Sequence, residues 1–249
     1  MSHTSPLIEV CVDSTESAQI AERAGADRIV LVDGMVEGGT TPSAGMISVC
    51  RKNINTPILV MIRPRSSDFC YSDAEFEAMK YDIEMAKSLG AYGVVLGVLT
   101  KEGAVDIERT KILVNCARPL QVTFNRAFDV CQDPNQALED LISLGVQRVM
   151  TSGQAETAYD GMDMIAKLVE RAKGRITIVA CAGIHERNIK KILAQTGAID
   201  AHVSLYETYP STMTHRRAEI YMGGAVSGSP YQRRGTSEEK IRKIMNNAH

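Results

Sequence analysis

Eight short runs of apolar and β-branched residues punctuate the chain, with room for a helix between each pair: LIEVCV (7–12), RIVLV (28–32), PILVMI (57–62), GVVLGV (93–98), LQVTF (120–124), RVMTS (148–152), ITIVA (176–180) and AHVS (201–204). Strands alternating with helices build parallel sheets, because a parallel connection needs a crossover long enough to hold a helix. Eight units in sequence predict one (β/α)8 TIM barrel over residues 1–249. An open doubly wound sheet is the alternative, disfavoured by the lack of a midpoint break or a Rossmann glycine loop.

The intervening stretches carry start and stop signals. DSTESAQIAERAGA begins with a cap at Asp13 or Ser14 and stops at Gly25; SDAEFEAMKYDIEMAKSLGA is capped by Ser72 or Asp73 and stops at Gly90; DPNQALEDLISLGVQ has Pro134 after Asp133 and stops at Gly145. On the second of these, Phe76, Met79, Ile83 and Met85 or Ala86 mark the buried face. From Leu205 to Gly235 the period lapses, which predicts a long irregular segment, whether lid, oligomer arm or mobile excursion, before TSEEKIRKIMNN resumes as a C-terminal helix.

Twenty-eight Lys+Arg against thirty Asp+Glu, with no basic tract, argue against nucleic acid as a partner. The opening MSHTSPLIEV has no leader pattern, and no apolar run approaches the ~20 residues that span a bilayer, so a cytoplasmic, membrane-free protein is expected. Six scattered cysteines with no CxxC pair read as reduced thiols.

Strand ends gather function in a barrel, and alternate residues share a face. That parity pairs Glu9 with Cys11, Met61 with Arg63, Thr123 with Asn125, and His202 with Ser204. A buried Glu9 needs a cation, and Arg63 is the expected partner, in a functional site or a structural ion pair. Arg63, Arg65 and Arg126, with Thr151, Ser152, Gly183 and Ser204 at later strand ends, suit a small phosphorylated or carboxylated ligand. Glu9, Arg63, Asp68, Asn125, Arg126, Asp129 and His202 are the candidates for chemistry. No strand run holds a lysine and no G-x-S-x-G elbow exists, which argues against a Schiff-base aldolase and a serine hydrolase.

The ordered motifs LIEVCVDSTESA, AGADRI, EGGTTPSAG, MIRPRSSDFCYSDAEFEAM, VTFNRAFD, RVMTSGQ and AHVS resemble the CutC copper-homeostasis family over roughly residues 7–204. The resemblance implies a TIM barrel, a homo-oligomer (dimer or tetramer), a cytoplasmic and in eukaryotes also nuclear location, and Cu(I) binding, without implying a reaction. It places Glu9, Cys11, Arg63, Arg65, Asp68, Arg126, Asp129, Thr151, Ser152, His202 and Ser204 at the rim or pocket. Three departures stand out: Asn125 where the family has His, and Val30 and Val32 where it has Glu and Cys. Copper would then rest on Cys11, with Cys181 or Met61 in place of the missing sulfur. The alternative is a barrel enzyme or pseudoenzyme holding a small anionic metabolite in the arginine-lined pocket.

Overall fold

The computed structural model describes residues 6–217 and 231–248. Eight parallel strands close into a barrel in sequence order: β1 (Leu7–Val12), β2 (Arg28–Leu31), β3 (Ile58–Met61), β4 (Gly93–Leu96), β5 (Gln121–Phe124), β6 (Arg148–Thr151), β7 (Thr177–Cys181) and β8 (Asp200–Val203). Around it run α1 (Thr15–Arg23), α2 (Ala44–Asn53), α3 (Asp73–Ser88), α4 (Ile107–Ala117), α5 (Pro134–Ser143), α6 (Met162–Ala172) and α7 (Ile189–Thr196). The open-sheet alternative is excluded, because β8 pairs with β1, Glu9 lying opposite His202.

Local chemistry explains the helix boundaries. The Ser14 side chain accepts from Ser17 N and caps α1, while Ser72 and Glu75 form a reciprocal capping box on α3. Asp133 caps α5 ahead of Pro134, whose missing N–H costs nothing at the first helical position. The stops at Gly25, Gly90 and Gly145 all lie at positive φ. On α3, Met79, Ile83 and Ala86 are buried whereas Met85 faces out.

After β8 the chain forms an antiparallel pair, β9 (Tyr206–Pro210) and β10 (Gln232–Thr236), followed by α8 (Glu238–Ala248). Part of the stretch expected to be irregular is therefore a hairpin, and residues 218–230 of it lie outside the described residues. β10 is tied to α1 by Thr236 N donating to Ser17 Oγ at 3.2 Å. That tether brings the hairpin over the C-terminal mouth, where Tyr206, Arg234, Gly235 and Thr236 border the same cavity as Cys11.

Two cores result. The larger fills the space between strands and helices, built on Ile8, Val10, Leu31, Ile62, Phe124 and their neighbours. The smaller lies inside the barrel and unites Cys11, Val30, Val32, Leu59, Met61, Val95, Met150, Val179 and Cys181, with Met35 packed against it.

Candidate functional site

The N-terminal half of the barrel interior is charged. Arg28, Arg148 and Asp200 each open a strand, and Glu9 projects among them. Arg148 Nη1 donates to Glu9 Oε2 at 2.8 Å and to Thr123 Oγ1 at 3.1 Å, while its Nη2 meets Asp200 Oδ2 at 3.1 Å. Arg28 Nη1 completes the cluster, 3.4 Å from Glu9 and 3.6 Å from Asp200. Burial works to raise the Glu9 carboxyl, yet Arg148, the His202 hydrogen bond and Arg28 together bring it down to about 2. Asp200 moves the other way, because burial outweighs the same two arginines.

The expected pairing of Glu9 with Arg63 is thus corrected: the partners of Glu9 are Arg148, Arg28 and His202. Arg63 is buried elsewhere, beyond the end of β3. Its Nη1 donates to the Glu37 and Gly39 carbonyls at 2.9 and 3.0 Å, its Nη2 donates to Ser67 O at 2.9 Å, and its guanidinium lies over the Phe69 ring. These bonds engage both terminal nitrogens on main-chain oxygens, while Nε is buried without a hydrogen-bond partner. Its charge fastens the loop after β2 to the loop after β3.

At the C-terminal mouth the sulfur atoms gather. His202 Nδ1 lies 2.9 Å from Glu9 Oε1, and Cys11 is a close neighbour of the same imidazole. Burial would lower His202, but Cys11 and Glu9 push it up to about 9. Cys11 Sγ is also 3.8 Å from Met35 Sδ, and Ser204 Oγ donates to the same thioether at 3.6 Å. Met61 and Cys181 share the interior cluster with Cys11. Burial, with Asp129 and Glu9 nearby, pushes the Cys181 thiol well above its ordinary value, so a Cys181 thiolate is costly. Val30 and Val32 are fully buried in the same cluster, in the space between Cys11 and the third strand.

A second group assembles across the barrel. Asp129 Oδ1 accepts from Thr151 Oγ1 at 2.6 Å and Ser152 N at 2.9 Å, and Asp129 Oδ2 meets Arg126 Nε at 2.7 Å. Arg126 Nη2 reaches Ser152 Oγ at 3.0 Å, leaving a side chain 46% exposed on the rim. Asn125 is buried at the base of this group, where its Oδ1 accepts from Ala127 N at 2.9 Å and starts a 3-10 turn. Arg65 and Asp68 stand apart: Arg65 pairs with Asp68 at 3.0 Å and Glu75 at 2.6 Å, which binds the β3–α3 loop to α3. Gly183 and Ser204 border a separate cleft with His185, Arg187 and Lys240.

The strand parity that found Glu9, Cys11, His202 and Ser204 also applied to Arg28, Arg148 and Asp200. The two arginines stand at the first positions of their strands, and Asp200 lies one residue before the run read as the eighth. Met35 lies on a turn after β2, where no periodicity could find it. Among the described residues no set of three or more Cys, His, Asp and Glu side chains is arranged to hold a metal ion. No described helix is long and apolar enough to cross a membrane.

Comparison with known proteins agrees with this architecture. The model of the CutC family matches residues 6–207. The copper homeostasis protein cutC homolog of Homo sapiens is 48% identical over 238 residues, covering 96% of this chain and 87% of the human protein. A CutC family protein of Porphyromonas gingivalis is also 48% identical, covering 96% of both chains. Among solved structures, the copper homeostasis protein CutC of Streptococcus agalactiae superposes with a TM-score of 0.75 at 33% identity, covering 79% of this chain and 97% of that one. A phosphoribosylanthranilate isomerase from Thermotoga maritima reaches a TM-score of 0.58 at 13% identity, a likeness of fold alone.

Proposed function

The chain belongs to the CutC family of copper-homeostasis proteins, and from that membership we propose that it takes up one Cu(I) ion at the C-terminal mouth of its barrel, anchored by Cys11 with His202 beside it. The observation that carries the proposal is the placement of Cys11 beside a buried His202 whose Nδ1 is held by Glu9 at 2.9 Å. Cu(I) favours sulfur and accepts imidazole. A carboxylate behind the imidazole is the usual device for fixing a ligating histidine, and Glu9 occupies that position. The cavity beside Cys11, bordered by Asp13, Met35, Ser204 and the hairpin, measures about 10 Å³. That is room for one water-sized body, whereas small-molecule pockets run to roughly 300–1,000 Å³. Size therefore favours an ion over a metabolite at this point of the mouth.

The test is a Cu(I) titration against a competing chelator on fully reduced protein. Binding of one equivalent, lost in Cys11→Ser, is the expected result. Binding unchanged by that substitution would place copper elsewhere.

A second reading, a barrel enzyme or pseudoenzyme for a small anionic metabolite, draws its support from Arg126. Of the three arginines proposed for such a pocket, Arg63 is buried against carbonyls and Arg65 is paired with two carboxylates. Arg126 alone of the three pairs with one carboxylate while presenting nearly half its side chain on the rim beside Ser152.

A further inference from the structure

Resting on the Cu(I) reading, we propose that Met35 is the second sulfur ligand and supplies the soft donor that Val32 does not. The inference begins with the sequence DGMVEGG, whose glycines permit a tight excursion. Gly34 and Gly38 adopt φ of 53° and 85°, a region open to glycine and strained for other residues, and between them Met35–Glu37 form one 3-10 turn. Glu37 N donates to Gly34 O at 2.8 Å and Gly39 N donates to the same carbonyl at 3.2 Å, closing the turn on itself. Arg63 then holds it from below through the Glu37 and Gly39 carbonyls. A methionine on a free surface loop would sample many rotamers. This one stands on a turn fastened at its carbonyl side by a buried guanidinium.

The side chain is partly buried against the interior cluster, and its sulfur is the atom that faces polar neighbours. The Cys11 thiol and the Ser204 hydroxyl both approach Sδ, at 3.8 and 3.6 Å. A methionine that only filled a gap would owe its position to methylene contacts, with no reason for two donors to converge on sulfur. Thiol and thioether are close enough for one ion to bridge them, since metal–sulfur bonds of about 2.3 Å span more than their separation when doubled. With the His202 imidazole beside Cys11, the donors are a thiol, a thioether and an imidazole. This combination suits a soft monovalent ion and lacks the closed Cys/His set that structural zinc requires.

The experiment compares wild type, Met35→Leu and Cys11→Ser. Leucine keeps the volume and removes the sulfur, so the apo variant should fold as the wild type does, checked by circular dichroism and thermal melting. Two readouts are taken on reduced protein: Cu(I) affinity by chelator competition, and the number of sulfur neighbours by X-ray absorption at the copper edge. Met35→Leu should weaken Cu(I) binding by about tenfold or more, as loss of even an outer partner does in metal sites, and should lower the sulfur count from two to one. If Cu(I) binds wild type, depends on Cys11, and is held by Met35→Leu with equal affinity and sulfur count, the Met35 assignment fails while the copper reading stands. If wild type takes up no Cu(I), both fall together.

Discussion

Arg148 carries the charge balance of the barrel interior. It reaches Glu9, Thr123 and Asp200 at once, and Arg28 is the other guanidinium paired with the two carboxylates. Replacing it with Met removes a charge but leaves both acids out of water, the case in which a broken buried pair is most damaging. Arg148→Met is therefore expected to lower unfolding stability by about 3–5 kcal/mol, read as a shift of the urea midpoint at constant slope. A loss below about 1 kcal/mol would mean that the network is solvated or rearranges freely. The residue scale is also where reading the sequence succeeded unevenly. Parity along β1 and β8 put Glu9, Cys11, His202 and Ser204 on the inward face of the barrel, because strands impose a two-residue period that sequence alone reveals. Arg63 was assigned to Glu9 on sign alone, and a charge does not announce whether its partner is a carboxylate or a set of carbonyls. Asn125 shows the same limit. The amide, which stands where the resemblance implies an imidazole, caps a 3-10 turn, a role set by backbone geometry that no spacing encodes.

Elements were far more legible than their contacts. All eight strands lie within a residue or two of the apolar runs, since a strand buried on both faces is mostly apolar, and that pattern survives without tertiary information. The hairpin β9–β10 was not legible. Its strands are short, largely exposed and polar, so they carry neither alternation nor an apolar run. Cross-element ties were equally hidden, and Glu22 of α1 is an instance that can be measured. Its Oε1 accepts from Asn55 N at 2.6 Å, Thr56 N at 3.0 Å and Thr56 Oγ1 at 3.2 Å, joining α1 to the segment that leads into β3. Partial burial would raise this carboxyl, but the two N–H donors and the hydroxyl hold it below the ordinary 4.5. A depressed carboxyl favours the folded state at pH above its unfolded value, and the contribution fades as pH falls through the folded one. Glu22→Gln should then cost no more than about 1 kcal/mol near pH 7, since solvent screens this partly exposed carboxylate, and less near pH 3, because hydrogen bonds to a charged acceptor are the ones lost. Paired urea titrations at the two pH values decide it, and an equal cost at both would show that the ionised form is not what joins the elements.

At the scale of the whole molecule, the closed barrel sets β1 opposite β5, so the sulfur group at the ends of β1, β2 and β8 and the Arg126 group at the ends of β5 and β6 occupy different sides of one mouth. Each can be loaded and tested without the other. A ligand that binds only the native state raises stability by mass action, about 2.7 kcal/mol at a hundredfold excess over Kd. For a domain of this size each kcal/mol moves the melting midpoint by about 2–4 °C, so saturation should appear as a shift of roughly 5–10 °C. Under strictly reducing conditions Cu(I), or Ag(I) as a soft ion of the same charge, is expected to produce that shift in wild type and in Arg126→Ala but not in Cys11→Ser. Inorganic phosphate probes the other side: a shift present in wild type and Cys11→Ser but absent in Arg126→Ala would establish an anion site next to Ser152. Protection by phosphate that survives Arg126→Ala would detach the anion reading from this rim. Protection by the soft ion that survives Cys11→Ser would do the same to the copper reading, which rests on the Cys11 sulfur beside Met35 and His202.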